Sequence, residues 1–199
     1  MGNLPSARPL ARDFYARNAL EVAPELLNKV LVVPDGRAGR IVEVEAYRGA
    51  DDPGSHSFRG MTRRNATMFG PPGRLYVYFT YGMHWCANVV AETDGVAAAV
   101  LLRALTPLRG LDAMYEARGP AARRDRDLCS GPAKLTQALG IDGGLDGADL
   151  VSGDRGATVV DDGQPPPPSP AVTARIGLSN GDDLPWRFCV AGAADLSRS

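Results

Sequence analysis

Apolar and polar positions alternate with a period of two through several short runs of this chain, which is the pattern of half-buried β-strands. Leu27–Val33 and Gly39–Tyr47 are two such runs around a Pro34-Asp35-Gly36 turn, and they predict a hairpin. Leu75–Thr80 and Trp85–Ala91 predict a second hairpin joined through Tyr81-Gly82-Met83-His84, and Gly95–Ala104 predicts a third apolar strand. Ala171–Ile176 and Trp186–Ala191 would close the sheet. Helical spacing is shorter-lived. It covers Leu10–Ala19, with Leu10, Phe14 and Tyr15 on one face and a new segment starting near Pro24, and Leu108–Ala117. It also covers Gly131–Leu139, with Ser130 as a plausible N-cap, and the free N–H groups of that helix start suit an anion. Two stretches lack periodicity: Asp51–Gly73, too long to be an idle connection, and the proline-rich loop Gly163–Pro170.

Hairpins punctuated by short helices predict an α+β fold with a mainly antiparallel sheet. No internal repeat interrupts it, and 199 residues suit one domain, spanning 1–199 with its core at about 10–190. Composition agrees: 44% hydrophobic and 23% charged residues are those of a folded globule, and 23 glycines with 16 prolines call for many turns.

Cys86, Cys129 and Cys189 form no C-x-x-C pair and no disulfide framework, which points to a reducing compartment and a cytoplasmic location. His56 and His84 have no usual ligand spacing to them, so neither a metal nor another cofactor is expected. The N-terminus lacks an apolar signal region and no run approaches a membrane span. Met1–Ser6 does fit the M-G-x-x-x-[ST] acylation pattern, but with no polybasic companion it reads as coincidence.

The net charge is −1, yet it is unevenly spread. No Asp or Glu lies between Pro53 and Ala91, where Arg59, Arg63, Arg64 and Arg74 fall, whereas six aspartates from Asp142 to Asp162 have only Arg155 among them. A basic face of this kind suits phosphates, although a solvated loop would have the same composition.

In Ile41–Tyr47 the strand period puts Glu43, Glu45 and Tyr47 on one face and Val42, Val44 and Ala46 on the other. A solvated acidic face is the default for such a pair. A cleft is the alternative, and there desolvation and mutual repulsion would raise at least one carboxyl pKa. The company favours a cleft: His56, the arginine run and then the tyrosine-dense RLYVYFTYG. Tyr76 and Tyr78 share the face opposite Leu75, Val77 and Phe79, and Tyr81 falls at the hairpin tip, where an exposed ring beside basic residues could wedge into stacked bases.

Six blocks now stand in one order: GRIVEVEAY, His56-Ser57, TRRN at Thr62–Asn65, GRLYVYFTYGMHWCANV at Gly73–Val89, VLLRALTP at Val100–Pro107 and LCSGPAKLTQALGI at Leu128–Ile141. Together they resemble the alkyladenine (3-methyladenine) DNA glycosylase family over roughly Leu10–Val190, most weakly in Asp142–Pro170. The resemblance implies a curved sheet and a monomeric, metal-free enzyme that flips an alkylated purine out of double-stranded DNA and hydrolyses its N-glycosidic bond. Hypoxanthine or ethenoadenine would extend the lesion range, and base excision repair would follow.

On this resemblance Glu45 is the general base, with Arg103 and the Ile176 backbone placing the attacking water. Tyr47, His56 and Tyr78 sandwich the base, and Asn88 disfavours the amino group of normal guanine. Tyr81, with Met83 nearby, intercalates, while Arg64, Lys134 and the Ser130-Gly131 helix start meet the DNA backbone. Departures are Arg63 in place of a proline and His84-Trp85 in place of a Tyr-Phe pair. No extended basic N-terminal tail is seen, so weak and salt-dependent non-specific DNA binding is expected.

Two other readings remain open on the residues alone. Glu43 and Glu45, roughly 7 Å apart along a strand, could be the carboxylate pair of a small-glycoside or N-riboside hydrolase, though this leaves Tyr81 without a purpose. A non-catalytic lesion-binding protein would use the hairpin but has no need of a buried carboxylate beside an arginine.

Overall fold

The alternating runs become strands, and every pairing among them is antiparallel. A computed structural model describes residues 7–181 and 183–197, so the Met1–Ser6 pattern lies outside the described residues. Among the described residues nine strands make one sheet: β1 (Arg8–Pro9), β2 (Val30–Val32), β3 (Ala38–Arg48), β4 (Leu75–Thr80), β5 (His84–Val90), β6 (Ala98–Arg109), β7 (Thr158–Asp161), β8 (Ala171–Thr173) and β9 (Arg187–Cys189). Their order is β1-β7-β2-β3-β6-β5-β4. β2 pairs with residues 38–40 of β3, β9 takes over the same edge at Glu43–Glu45, and β8 adds to β9.

The described residues also form five α-helices: α1 (Arg12–Tyr15), α2 (Ala19–Leu26), α3 (Leu111–Arg118), α4 (Arg126–Cys129) and α5 (Pro132–Leu139). The helix expected over Leu10–Ala19 is instead two pieces. Asn18 breaks it, because its side-chain oxygen accepts the Leu20 N–H at 2.9 Å and caps a new helix, and Pro24 lies inside that helix rather than before it. Ser130 does not cap α5. Gly131 holds the N-cap position with no side-chain cap, and the Ser130 hydroxyl accepts from Lys134 Nζ at 3.2 Å. β7 and α4 went unanticipated, and the strands expected over Ala171–Ile176 and Trp186–Ala191 are three residues each.

The period of two sorts the sheet into two faces. Val44, Ala46, Leu75, Val77, Ala87, Val89, Val100 and Leu102 join Leu26 and Leu135 of the helices in one core. Their neighbours Glu45, Tyr47, Tyr76, Tyr78, Cys86, Asn88, Leu101 and Arg103 are left to the opposite face. The alternation slips at one place. Ile41 and Val44 both belong to the core although they are three residues apart, and the β3–β6 register shifts around Glu43. Val42 is therefore not the core partner of Val44 that strict alternation predicts. Across the pair, Glu43 faces Ala104 and Val44 faces Leu102, so Arg103 is the extra residue of a bulge. The bulge falls at Arg103, whose side chain lies on the face of the two carboxylates.

The aspartates of the acidic stretch do not make a free acidic face. Asp161 pairs with Lys29, Asp162 with Arg40, Asp149 with Arg12, and Asp146 accepts from the Val77 N–H and the Thr67 hydroxyl. The proline-rich loop is also tied down, its Pro165 carbonyl accepting from Asn28 Nδ2 at 2.8 Å.

Candidate active site

Both strand carboxylates are fully buried, which overturns the solvated default. Glu45 Oε1 accepts the Ile176 N–H at 2.8 Å and lies 3.1 Å from Arg103 Nη1, while its Oε2 accepts the Tyr47 hydroxyl at 2.8 Å. A carboxylate offers about four acceptor positions, so two hydrogen-bond donors and one guanidinium contact leave at least one open. Glu43 is differently used. Arg103 Nε, Arg187 Nε and the Ser197 hydroxyl converge on its Oε1 at 2.8, 2.8 and 2.6 Å, and the Ser197 N–H reaches Oε2 at 2.6 Å. Burial alone would raise this carboxyl, but the bonds from Arg187, Ser197 and Arg103 outweigh it and hold Glu43 below the usual carboxylate range. The upward shift expected for a cleft carboxyl is thus reversed at Glu43. It is also too heavily engaged to be the second acid of a paired-carboxylate glycosidase.

Above these carboxylates lies a cavity of about 300 Å³, lined by Tyr47, His56, Tyr76, Tyr78, Asn88, Arg103 and Ile176 among others. Glu45 is fully buried and in contact with three of these lining residues, Tyr47, Arg103 and Ile176. Tyr76 and Tyr78 stack at 5.3 Å between ring centroids, as their shared strand face predicts, and His56 meets Tyr78 edge-on at 4.5 Å. Burial pushes the Tyr47 and Tyr78 hydroxyls far up and that of Tyr76 up to about 12. Burial, and then the Arg64 charge, push His56 down, so it is chiefly neutral at pH 7. Asn88 donates to the Tyr76 carbonyl at 3.2 Å, which fixes its amide in the wall.

His56 comes from the long connection, which is held rather than loose. Asn65 Nδ2 donates to the His56 carbonyl at 2.9 Å and to Gly60 at 3.1 Å, while its oxygen accepts the Thr62 N–H at 2.6 Å. The TRRN block is thus a local brace for the histidine. Arg64 lies 5.5 Å from the Tyr78 ring centroid and donates to the Phe79 carbonyl at 2.8 Å.

Sequence reasoning missed a second buried pair. Arg175 and Asp52 are joined by two bonds of 2.6 and 2.7 Å, and both side chains are wholly buried. Arg175 also donates to the Ala46 and Gly181 carbonyls and lies between the Tyr47 and Trp186 rings, at 4.7 and 5.0 Å. One face of Tyr47 is therefore occupied by a guanidinium. Arg175 precedes Ile176, so the same side chain holds the segment whose N–H reaches Glu45. Gly54 lies tight beneath it: a Cβ there would be 2.8 Å from Leu178 Cδ1 and 2.9 Å from Arg175 Nη2. The one sequence signal was the Asp52-Pro53-Gly54 turn, in which Asp52 accepts the Gly54 N–H at 2.9 Å.

At the rim, Tyr81 is 82% exposed and Met83 67%. Tyr81 and Gly82 both have positive φ, 52° and 67°, and the Met83 N–H bonds back to Thr80 at 3.2 Å, a tight turn with primed-type dihedrals. Tyr81 borders the cavity; Met83 does not. Ser130 and Lys134 lie in a separate depression with Arg126 and Asp127, while Pro132 of α5, which follows Gly131, borders the main cavity.

The three cysteines are buried and free. Among the described residues, no cluster of three His, Cys, Asp or Glu side chains comes together to hold a metal, and no helix is long and apolar enough to cross a membrane.

Comparison with known proteins bears on what this cavity takes. The family model described as methylpurine-DNA glycosylase matches residues 13–194. A Burkholderia lata protein provisionally named a 3-methyladenine DNA glycosylase is 61% identical over 183 residues, 92% of this chain and 88% of its own. Similarly named proteins of Carboxydothermus hydrogenoformans and Streptomyces avermitilis are 51% and 48% identical, over 90% and 94% of this chain and 93% and 89% of theirs.

Proposed function

Because this chain belongs to the methylpurine-DNA glycosylase family, enzymes of DNA repair that hydrolyse N-glycosyl bonds, we propose that it takes alkylated purines of the 3-methyladenine class from double-stranded DNA into the aromatic cavity and releases them there. The observation that carries this reading is Glu45, buried beneath the cavity and holding one acceptor position open beside Tyr47, Arg103 and Ile176. A water at that position gives its proton to Glu45 while its oxygen attacks the sugar C1′. The C1′–N bond breaks and its electron pair stays with the base, which leaves neutral if it was a cation. Positioned base catalysis of this kind contributes about 10²–10⁴ in rate.

The reacting carbon is out of reach in a stacked helix, so the nucleotide must be flipped. Tyr81, with Met83, is suited by its exposure to fill the gap. Tyr47, His56 and Tyr78 would sandwich the flipped base. Electron-rich rings and a chiefly neutral His56 suit a cationic purine, since an imidazolium would repel it. Neutral lesions such as hypoxanthine or ethenoadenine would need a proton from another donor. Asn88, fixed in the wall, would reject normal guanine by fit. Arg64, Ser130, Gly131 and Lys134 would follow the DNA backbone. No metal or cofactor enters these steps. It would act as a monomer, and free buried thiols and bacterial relatives fit a bacterial cytoplasm, at the nucleoid.

The test is single-turnover base release from methylated DNA and from a hypoxanthine-containing duplex, for wild type and Glu45→Gln side by side. Release of methylated purine by wild type, lost in Glu45→Gln while lesion binding persists, is the expected result. Binding without release by wild type would replace the enzyme by a lesion-binding protein, and turnover of free nucleosides would point to a small N-riboside hydrolase.

A further inference from the structure

Arg103 is shared between two carboxylates, and the sharing is asymmetric. Its Nε donates to Glu43, its Nη1 faces Glu45 at 3.1 Å and its Nη2 donates to the Ser197 hydroxyl at 3.1 Å. Left to a single carboxylate, a guanidinium prefers a two-pronged dock on both oxygens. Such a dock on Glu45 would occupy its open position. Glu43 draws the Nε edge away, and Arg187 from β9 and Ser197 from the C-terminal segment hold Glu43 in place. Ser197 lies 154 residues from Glu43 in sequence and bonds both Glu43 and Arg103, so the end of the chain straps the floor of the site.

We propose that Glu43, clamped by Arg187 and Ser197, is a positioning group that keeps the Arg103 guanidinium spread over both carboxylates and so leaves Glu45 free to take a proton. This rests on the glycosylase reading, in which Glu45 is the base. The charged and titratable groups facing Glu45 are Glu43 and Tyr47 on β3, Arg103 on β6, and Arg187 and Cys189 on β9; Cys86 on β5 faces Arg103 in turn. Glu43 and Glu45 balance Arg103 and Arg187, two charges against two. Removing Glu43 makes the surroundings of Glu45 more positive, and removing Arg187 makes them more negative.

The experiment is single-turnover release from methylated duplex across pH, with lesion-duplex Kd measured in parallel, for Glu43→Gln, Arg187→Gln and Ser197→Ala. Glu43→Gln is expected to slow release about 10- to 100-fold with Kd little changed, and to move the acidic limb of the pH–rate profile to lower pH. Arg187→Gln should move that limb the opposite way, to higher pH. Ser197→Ala, a mild change near the chain end, should slow release a few-fold without loss of folded protein. Limbs that do not move, or that move together, would overturn the proposal, as would a rate loss that only tracks the folded fraction. An activity-independent readout separates this idea from the glycosylase reading. The Arg103 Nε–H resonance, identified by its loss in Arg103→Lys, should be protected from exchange in wild type and unprotected in Glu43→Gln. If wild type releases no base, the glycosylase reading falls; if that resonance is unprotected in wild type, the Glu43 clamp falls by itself.

Discussion

The buried Arg175–Asp52 pair offers the sharpest stability test, through Asp52→Asn. Asn keeps the shape but turns one accepting oxygen into a donor, facing a guanidinium with no exposed surface. Arg175 retains the Ala46 and Gly181 carbonyls, so the loss is partial rather than a bare buried charge. Breaking a buried pair by removing one partner costs about 3–5 kcal/mol, against a whole-protein stability of roughly 5–15 kcal/mol. In a domain of this size each 1 kcal/mol is worth about 2–4 °C, so Tm should fall by roughly 6–20 °C. Arg175→Met should cost a similar amount, since it abandons Asp52 and both carbonyls while keeping some contact with the Tyr47 and Trp186 rings. The two losses should not add. With both partners replaced, no buried charge is left alone, and the double variant should be at least about 2 kcal/mol more stable than the sum implies. Chemical denaturation of the four proteins, with equal m-values, supplies the cycle. A fall in Tm below about 3 °C for Asp52→Asn, or simple additivity, would refute the argument.

Three further outcomes follow from the site. Tyr81→Ala should weaken release from duplex DNA by one or two orders of magnitude, as loss of roughly 1–3 kcal/mol of stacking implies, and spare release from single-stranded methylated DNA; equal losses on both would deny the wedge. His56, held low first by burial and then by Arg64, should titrate below its ordinary value in an NMR pH series, and Arg64→Gln should move its midpoint upward. Because the folded chain binds that proton less readily than the unfolded one, the stability involved is present above about pH 6.5 and lost as pH falls towards the folded midpoint. An acid-stability profile unchanged by His56→Gln between pH 5 and 7 would contradict this. Arg64→Gln and Lys134→Gln should each lower the slope of log Kd against log salt by roughly 0.9; a slope unaffected by either change would remove that side chain from the DNA contact.

What could be read beforehand was what repeats locally. The two hairpins, the Tyr76–Tyr78 face and the exposed tip all follow from a period of two and a turn between two runs. Glu45, Arg103 and Ile176 come together in the fold, although no local pattern joins residues 131 positions apart. The burial of Glu43 was not legible, because it depends on Arg187 and Ser197, which reach it across 144 and 154 residues. Arg175 was equally hidden, since an arginine between Ala174 and Ile176 gives no sign of an aspartate 123 residues earlier. Asn18 and Ser130 show a subtler limit: either residue type can cap a helix, and the surroundings decide which does. A register slip is likewise silent in the sequence, and here it falls between Glu43 and Val44, opposite Arg103.

Tyr81 holds a left-handed backbone that a glycine or asparagine adopts more easily. A ring there costs the native state about 1 kcal/mol and gains nothing from burial. A screen for thermal stability alone would therefore favour Gly at this position and, in doing so, discard the proposed wedge. Selection for durability and selection for lesion capture pull in opposite directions on one residue, so a tyrosine retained at such a tip is evidence of which has prevailed.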